Sequence, residues 1–237
     1  MPWFAKRDRG DGGAIEPPEQ RQSPYDAAIL DSKFDQLVDH MGAGLGLEHY
    51  IESLSAKQAL FEDVIGGADA ARLDQEACLT LFECMFTARR KFAAPFMGIA
   101  LEERQRLLEA LWDEDTDSLA RVRVFAESAP TGGDRKVRRA AWDFAAECLH
   151  FRAPERCPLM TRWVWDPATE AGALRELIRG SDGLREVPLG DNTGTYEKAR
   201  EWIADRLAER GYYRSIPFLI DLALAQAYSD YMQAMSF

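Results

Sequence analysis

The chain of 237 residues is 46% hydrophobic and 29% charged, and its formal net charge is −11. This composition predicts a globular protein with a sizeable core, and the overall acidity argues against nucleic acid as a principal partner, because its phosphate backbone would be repelled. The four cysteines form no CxxC pair, so we expect reduced thiols in a cytoplasmic protein rather than a disulfide framework or a zinc site.

The chain begins with a segment, residues 1–24, that we predict to be a flexible tail. Glycine and proline recur in it and interrupt any helical pattern, and it lacks the apolar stretch of a signal peptide. Trp3 and Phe4 stand close to three basic residues in this tail. Both are candidate binding residues, because a flexible segment with aromatic anchors can order on a partner. A tail without a role is the alternative.

Helical spacing of apolar residues begins at residue 25 and recurs to the end of the chain. The first helix is expected to end near Met41, where glycines follow. Ser55 is predicted to cap a new helix and so to divide the next stretch in two. Residues 74–92 are apolar nearly all round, which predicts one helix in the middle of a bundle. Residues 128–133, with the sequence SAPTGG, form the clearest internal linker.

The second half of the chain opens with a predicted helix from Asp134 to about Phe151. The two residues Asp166 and Pro167 are a typical helix start, and we expect that helix to continue to Gly180. A glycine-rich loop then leads into a further predicted helix, 196–210, which another glycine ends.

The most apolar stretch of the chain, residues 216–237, is interrupted by two aspartates and a glutamine. It therefore predicts a core helix rather than a membrane anchor. Sustained alternation of apolar and polar residues, the pattern typical of strands, is missing. We predict an all-α fold, with residues 25–237 forming a single bundle-like domain of about nine or ten helices.

Glu147 and His150 form the sequence E-x-x-H in the predicted helix 134–151. In ferritin-like carboxylate bundles this spacing turns both side chains toward a di-metal centre, but such a centre needs two motifs and two further glutamates. This chain has one motif. At about 100° per residue, the motif shares a polar side with Arg139 and Asp143. We interpret these four residues as a solvated charged stripe and predict no metal; an iron- or manganese-dependent enzyme using Glu147 and His150 is the alternative.

Residues 133–165 differ in charge from the rest of the chain: seven lysines and arginines stand against four acidic residues, with three of the six tryptophans. Arginine and tryptophan anchor many protein interfaces, and they also hold anionic or aromatic ligands. Two prolines prevent the end of this segment from forming one buried helix. The candidate binding residues are Arg152, Arg156, Arg162, Trp163 and Trp165. In the alternative interpretation, the last two tryptophans are core residues and the arginines pair with acidic neighbours.

In size, acidity and helical content the chain resembles the cytosolic chaperones that assist the assembly of molybdenum redox enzymes, although it shares no motif with them. We predict a non-enzymatic accessory, assembly or subunit protein that acts through protein–protein contacts and needs no cofactor. We expect a partner protein, no nucleic acid and no membrane insertion; self-association into a homo-oligomer is a further option. Two alternatives stay open: the metal-dependent enzyme, and a binder of a small anionic ligand that uses segment 152–165.

Overall fold

A computed structural model describes residues 23–67, 69 and 73–235 of the chain. Within these residues, regular secondary structure is entirely helical, and strand-like pairing is limited to two isolated bridges. The predicted all-α fold is confirmed. The described part contains eleven α-helices rather than nine or ten, because three of them have six residues or fewer. Trp3, Phe4 and nearly all of the predicted tail lie outside the described residues.

The helices follow one another through the described chain with short connections. They are α1 Ala27–Gly42, α2 Leu47–Ile65, α3 Gln75–Glu83, α4 Phe86–Lys91, α5 Ala93–Met97, α6 Leu101–Trp112, α7 Ser118–Ser128, α8 Arg135–Arg152, α9 Ala173–Glu176, α10 Thr193–Glu209 and α11 Ile216–Ala234. Aspartates cap several of them: the carboxylates of Asp74, Asp117 and Asp134 accept backbone N–H groups in the first turns of α3, α7 and α8. Such caps satisfy donors that the helix itself leaves free.

Two of the predicted helix boundaries are wrong. The division at Ser55 does not occur, because α2 runs without a break from Leu47 to Ile65. Serine is tolerated inside a helix when nothing else disturbs the backbone. Conversely, the single helix predicted over 74–92 is interrupted. Met85 takes an extended conformation (φ −126°, ψ 91°) and buries its side chain, whereas the next residue, Phe86, is 64% exposed.

The helix predicted from Asp166 to Gly180 is also wrong, because the chain turns back on itself there. Gly172 has φ 129°, a conformation that favours glycine, and a Cβ atom at this position would lie 2.6 Å from the carbonyl oxygen of Val164. The close approach lets the N–H of Ala173 bond to the carbonyl of Trp163 at 2.9 Å. Only the short helix α9 follows.

The core is built around α8, which packs against α2, α4, α6 and α7. Its apolar face carries Phe144 into a cluster with four other phenylalanine rings, Phe82, Phe92, Phe96 and Phe125, with centroids 4.8–5.6 Å from that of Phe144. Aromatic pairs of this kind stabilise a fold by about 0.5–1.5 kcal/mol each beyond the area they bury. Residues 74–92, predicted to lie in the middle of the bundle, contribute Phe82 and Phe92 to this cluster and pack against α8.

The last helix, α11, packs mainly against α1, α9 and α10; it also touches α2, which packs against α8, but it makes little direct contact with α8 itself. This arrangement leaves the polar side of α8 facing a groove rather than a packed helix. Among the described residues, none of the helices combines the length and the apolar character that a bilayer crossing requires.

Candidate functional site

A groove between α8 and α11 borders the Arg- and Trp-rich segment. One wall is the stripe Arg139, Asp143 and Glu147 on α8, and the other carries Ala225 and Tyr228 on α11. The groove has three adjoining sections: the first lies between α7, α8 and the loop 162–169, without residues of α11, and the other two lie between α8 and α11. We call them the arginine pocket, of about 380 Å³, the aromatic section, of about 760 Å³, and the carboxylate end, of about 340 Å³.

The sections are continuous because neighbouring ones share lining residues. Arg139, Arg162 and Asp166 line both the arginine pocket and the aromatic section. Asp143 and Trp163 line both the aromatic section and the carboxylate end. A ligand that extends along α8 can therefore contact all three without leaving the surface.

The arginine pocket has an excess of positive charge. Five arginines line it together with two aspartates, which gives a formal charge of +3; the arginines are Arg123, Arg135, Arg138, Arg139 and Arg162. Asp191 pairs with Arg123 at 3.0 Å, and Asp166 pairs with both Arg139 and Arg162. Among the described residues, Arg135 and Arg138 have no acidic partner. Their planar guanidinium groups are suited to carboxylate or phosphate oxygens.

Two tryptophans also line the arginine pocket, and both have their indole N–H groups occupied. Trp142 donates to the carbonyl of Met160 at 2.9 Å, and Trp165 donates to that of Gly190 at 3.2 Å. These bonds fix the rings, so the tryptophans present apolar surface rather than hydrogen-bond donors to a ligand.

Aromatic rings from α11 and from the loop before α9 form the middle of the groove. The ring of Trp163 lies 5.8 Å from that of Tyr228, and Tyr228 lies 6.0 Å from Tyr231. The tight turn at Gly172 holds Trp163 in this position, because the N–H groups of Ala173 and Leu174 donate to the carbonyls of residues 163 and 164. The section can accept an apolar or aromatic side chain.

Three carboxylates line the far end of the groove. Glu147 pairs with Lys57 at 2.5 Å, and the same ammonium group lies 4.1 Å from the ring centre of Phe151. Asp143 accepts the backbone N–H of Arg162 at 3.1 Å and has no ion-pair partner among the described residues. Burial raises the pKa of Asp143 to about 6, against the opposing effects of Arg162 and Arg139. The third carboxylate is Asp221.

His150 contacts Asp221 from the protein interior, and only 2% of its surface is exposed. The Nε2 atom of His150 lies 2.8 Å from a carboxylate oxygen of Asp221, and Nδ1 lies 2.8 Å from the carbonyl oxygen of Cys157. Both neighbours are acceptors, which favours a ring that donates from both nitrogens. Burial disfavours the charged ring, but the charge and hydrogen bond of Asp221, the carbonyl of Cys157 and the charge of Glu147 together raise the pKa of His150 above its ordinary value.

The interpretation of Arg139, Asp143, Glu147 and His150 as a solvated stripe is therefore wrong for His150, which lies inside the protein. Nor does the geometry favour the alternative of an iron or manganese enzyme. Both nitrogens of His150 are engaged, and Glu147 is paired with Lys57. In the described part of the chain, no group of three or more histidine, cysteine or acidic side chains is arranged to hold a metal ion.

The structure divides the candidate binding residues between three environments. Arg162 and Trp163 line the groove. Trp165 is a core residue with 1% exposure, as the alternative interpretation of this segment expected, and presents only part of its ring to the arginine pocket. Arg152 and Arg156 lie elsewhere: the first stacks on the ring of Trp112 at 4.8 Å, and the second reaches to within 3.7 Å of Glu114.

Several groove residues were missed in the sequence. Arg135 and Arg138 belong to the basic segment, but the prediction gave weight to its second half. Tyr228 and Tyr231 were missed because their helix was interpreted as core throughout. Helical spacing could have indicated this face of α11, because residues 225, 228 and 232 are three and four positions apart and therefore lie on the same side of the helix.

Comparison with protein-family models, with curated proteins and with solved structures finds no match for this chain. The function of the groove is therefore argued from its own geometry and charge.

Proposed function

We propose that this protein is a non-enzymatic accessory protein that binds a segment of a partner protein in the groove between α8 and α11. The observation that carries the proposal is the continuity of the arginine pocket with the aromatic section through Arg139 and Arg162. Arginine and aromatic residues next to each other are the usual composition of binding hot spots.

The charge of the pocket supports a partner that presents acidic residues. Arg135 and Arg138 are exposed and have no carboxylate partner among the described residues, so their charges are available to a ligand. The whole chain is acidic, with a formal charge of −11. A local excess of arginine on such a surface gives an acidic segment one preferred place to dock.

A second candidate function is the binding of a small anionic ligand in the arginine pocket alone. Its volume of about 380 Å³ falls in the range of small-molecule sites, about 300–1,000 Å³. Citrate and inorganic phosphate are suitable probes. Saturable binding of either one that is lost with Arg135 and Arg138, and that leaves partner capture unaffected, would favour this second function.

The test of the proposed function is the double variant Arg135→Ala, Arg138→Ala. Because neither arginine supports the core, the variant should keep its helical spectrum and melting temperature. We expect it to recover native co-purifying partners at least about tenfold less well than the unaltered protein, since truncation at a hot spot costs about 2 kcal/mol or more. Quantitative mass spectrometry after affinity purification from the native host measures the loss.

The matched control is Lys136→Ala, Arg156→Ala. It also removes two positive charges, but both lie outside the groove. Arg156 is 72% exposed and makes one loose contact with Glu114, so its loss should cost little stability. The control should recover the partners at the normal yield. Equal recovery by the two double variants would show that the arginine pocket is not the docking surface.

A further inference from the structure

The charge of the groove reverses from one end to the other. The arginine pocket carries a formal charge of +3. In the aromatic section two arginines face two aspartates, so the charges balance. At the carboxylate end Asp143, Glu147 and Asp221 stand against Lys57, and His150 contacts Asp221, so the formal charge is −2 with a neutral His150 ring and −1 with a protonated one. A bound segment therefore meets a potential that changes sign along its length.

The three carboxylates at this end differ in whether they already have a cationic partner. Glu147 is paired with Lys57, and Asp221 is paired with His150. Asp143 accepts one backbone N–H and has no cationic partner at ion-pair distance among the described residues. It lies where the aromatic section meets the carboxylate end, so it is the acceptor that a ligand cation can reach.

Aromatic surface lies in the same sections of the groove as the Asp143 carboxylate. Trp163 lines both sections that Asp143 lines, and Phe86 borders the carboxylate end with 64% of its surface exposed. A cationic side chain is attracted both to a carboxylate and to the faces of aromatic rings. Lys57 already shows this combination one turn away, where its ammonium group contacts Glu147 and the ring of Phe151.

We infer that the groove selects a segment of mixed charge and fixed direction, with acidic residues in the arginine pocket and a lysine or arginine side chain at Asp143. This inference rests on the proposed function. A segment bound in the opposite direction would place like charges together at both ends, which disfavours it strongly. The inferred partner is thus a protein whose exposed segment carries acidic residues, an apolar or aromatic residue and a basic residue, in that spatial order.

The experiment is a selection of random twelve-residue peptides, each about 40 Å long when extended. The targets are the full-length protein, an Asp143→Asn variant and the Arg135→Ala, Arg138→Ala variant. The unaltered protein should select a consensus with acidic residues at one end and a basic residue at the other. Asp143→Asn keeps an oxygen for the N–H of Arg162, so it should retain the acidic positions and lose the basic one. The arginine variant should lose the acidic positions.

A titration with the consensus peptide measures how strongly its basic residue interacts with Asp143. Asp143→Asn should weaken its binding by about tenfold, whereas a peptide whose basic residue is replaced by glutamine should bind both proteins equally. Equal loss for both peptides, or no loss for either, would overturn the inference. A consensus with acidic residues alone would overturn it too but leave the proposed function standing. Failure of the unaltered protein to select any consensus would count against the proposed function itself.

A second measurement needs no variant. Asp143 shares the groove with several charged or titratable groups: Glu147 and Arg139 on its own helix, Arg162 and Asp166 from the loop, Lys57 on α2, and Asp221 and Tyr228 on α11. Because the pKa of Asp143 is about 6, its carboxyl group is mostly neutral at pH 5. The consensus peptide should therefore bind several-fold less tightly at pH 5 than at pH 7. The glutamine peptide, measured at pH 5 and pH 7, gives the part of the pH dependence that comes from all other titratable groups. An identical pH dependence for the two peptides would contradict the role of Asp143.

Discussion

The buried pair of His150 and Asp221 places an imidazole ring with a raised pKa next to a carboxylate inside the protein, with 2% and 8% of their side chains exposed. Such a pair is tolerated because each charge compensates the other and the second ring nitrogen is satisfied by the carbonyl of Cys157. Removing one partner leaves the other charge uncompensated. The pair therefore fixes the end of α8 to α11 beneath the carboxylate end of the groove.

We predict that His150→Leu lowers the free energy of unfolding at pH 7 by about 3–5 kcal/mol, because Asp221 is then buried without a partner. The double variant His150→Leu, Asp221→Leu should recover part of this loss, since no charge remains buried. Urea denaturation of the three proteins measures both effects. A single variant as stable as the unaltered protein would show that Asp221 does not depend on His150.

The same pair gives the expected dependence on pH. The pKa of His150 is raised in the folded protein, so its contribution to stability is complete below the unfolded value of about 6.5. The contribution is lost as the pH rises through the folded value. The stability difference between the unaltered protein and the double leucine variant should therefore shrink on going from pH 6 to pH 8.5. A difference that grows over this range would mean that the ring is neutral when folded.

Residue environments were the least predictable part of the site. Helical spacing assigned His150 correctly to the side of α8 that carries Glu147, but it could not indicate which element covers that side. Asp221, which covers His150, lies 71 positions further along the chain. Similarly, Trp163 and Trp165 are separated by one residue, yet a turn between them leaves Trp163 in the groove and Trp165 in the core. Both outcomes depend on contacts between distant segments.

At the scale of elements, local signals predicted helix ends well where the chain caps itself. The predicted helix from Asp134 to about Phe151 matches α8, Arg135–Arg152, because the capping carboxylate lies next to the helix it begins. The same signal at Asp166 was misleading. Its carboxylate does accept the N–H of Ala168, but it also pairs with Arg162 and Arg139, and the chain turns at Gly172 instead of continuing as a helix.

Gly172 allows a direct test of this turn. We expect Gly172→Ala to lower stability by at least about 2 kcal/mol, since its φ of 129° is strained for alanine and the new Cβ atom would press on the carbonyl of Val164. The change should also displace Trp163 and weaken peptide binding. Thermal denaturation followed by circular dichroism measures the first effect. Gly42→Ala is the control: a Cβ atom there meets nothing within 4 Å, so stability should not fall and should rise by up to about 1 kcal/mol, because alanine leaves the unfolded chain less freedom.

At the scale of the whole molecule, α8 serves two purposes with its two faces. One face carries Phe144 into the aromatic cluster, and the other forms a wall of the groove through Arg139, Asp143 and Glu147. The sequence predicted this division of α8 into an apolar and a polar face, because both follow from helical spacing. It could not predict the groove, since the groove also depends on where α11 packs, which is mainly against α1, α9 and α10 with little direct contact to α8.

The predicted single domain over residues 25–237 has a consequence for unfolding. Helix α8 contacts α2, α4, α6 and α7, and the rings around Phe144 come from four other positions in the chain. If these helices form one cooperative unit, truncating the side chain of Phe144 destabilises all of them together. We predict that Phe144→Ala lowers the free energy of unfolding by about 3–5 kcal/mol.

The measurement is thermal unfolding followed by the far-ultraviolet and near-ultraviolet spectra at once. Both signals should shift to the same lower temperature in a single transition, because secondary structure and aromatic packing are lost together. Val124→Ala on α7 is the control, since this side chain is 47% exposed and its truncation should change stability by less than about 0.5 kcal/mol. Two separate transitions, of which Phe144→Ala moves only one, would instead mean that α8 and α11 belong to units that unfold independently. The groove would then lie on a boundary between them, and a ligand bound along it should bring the two transitions together.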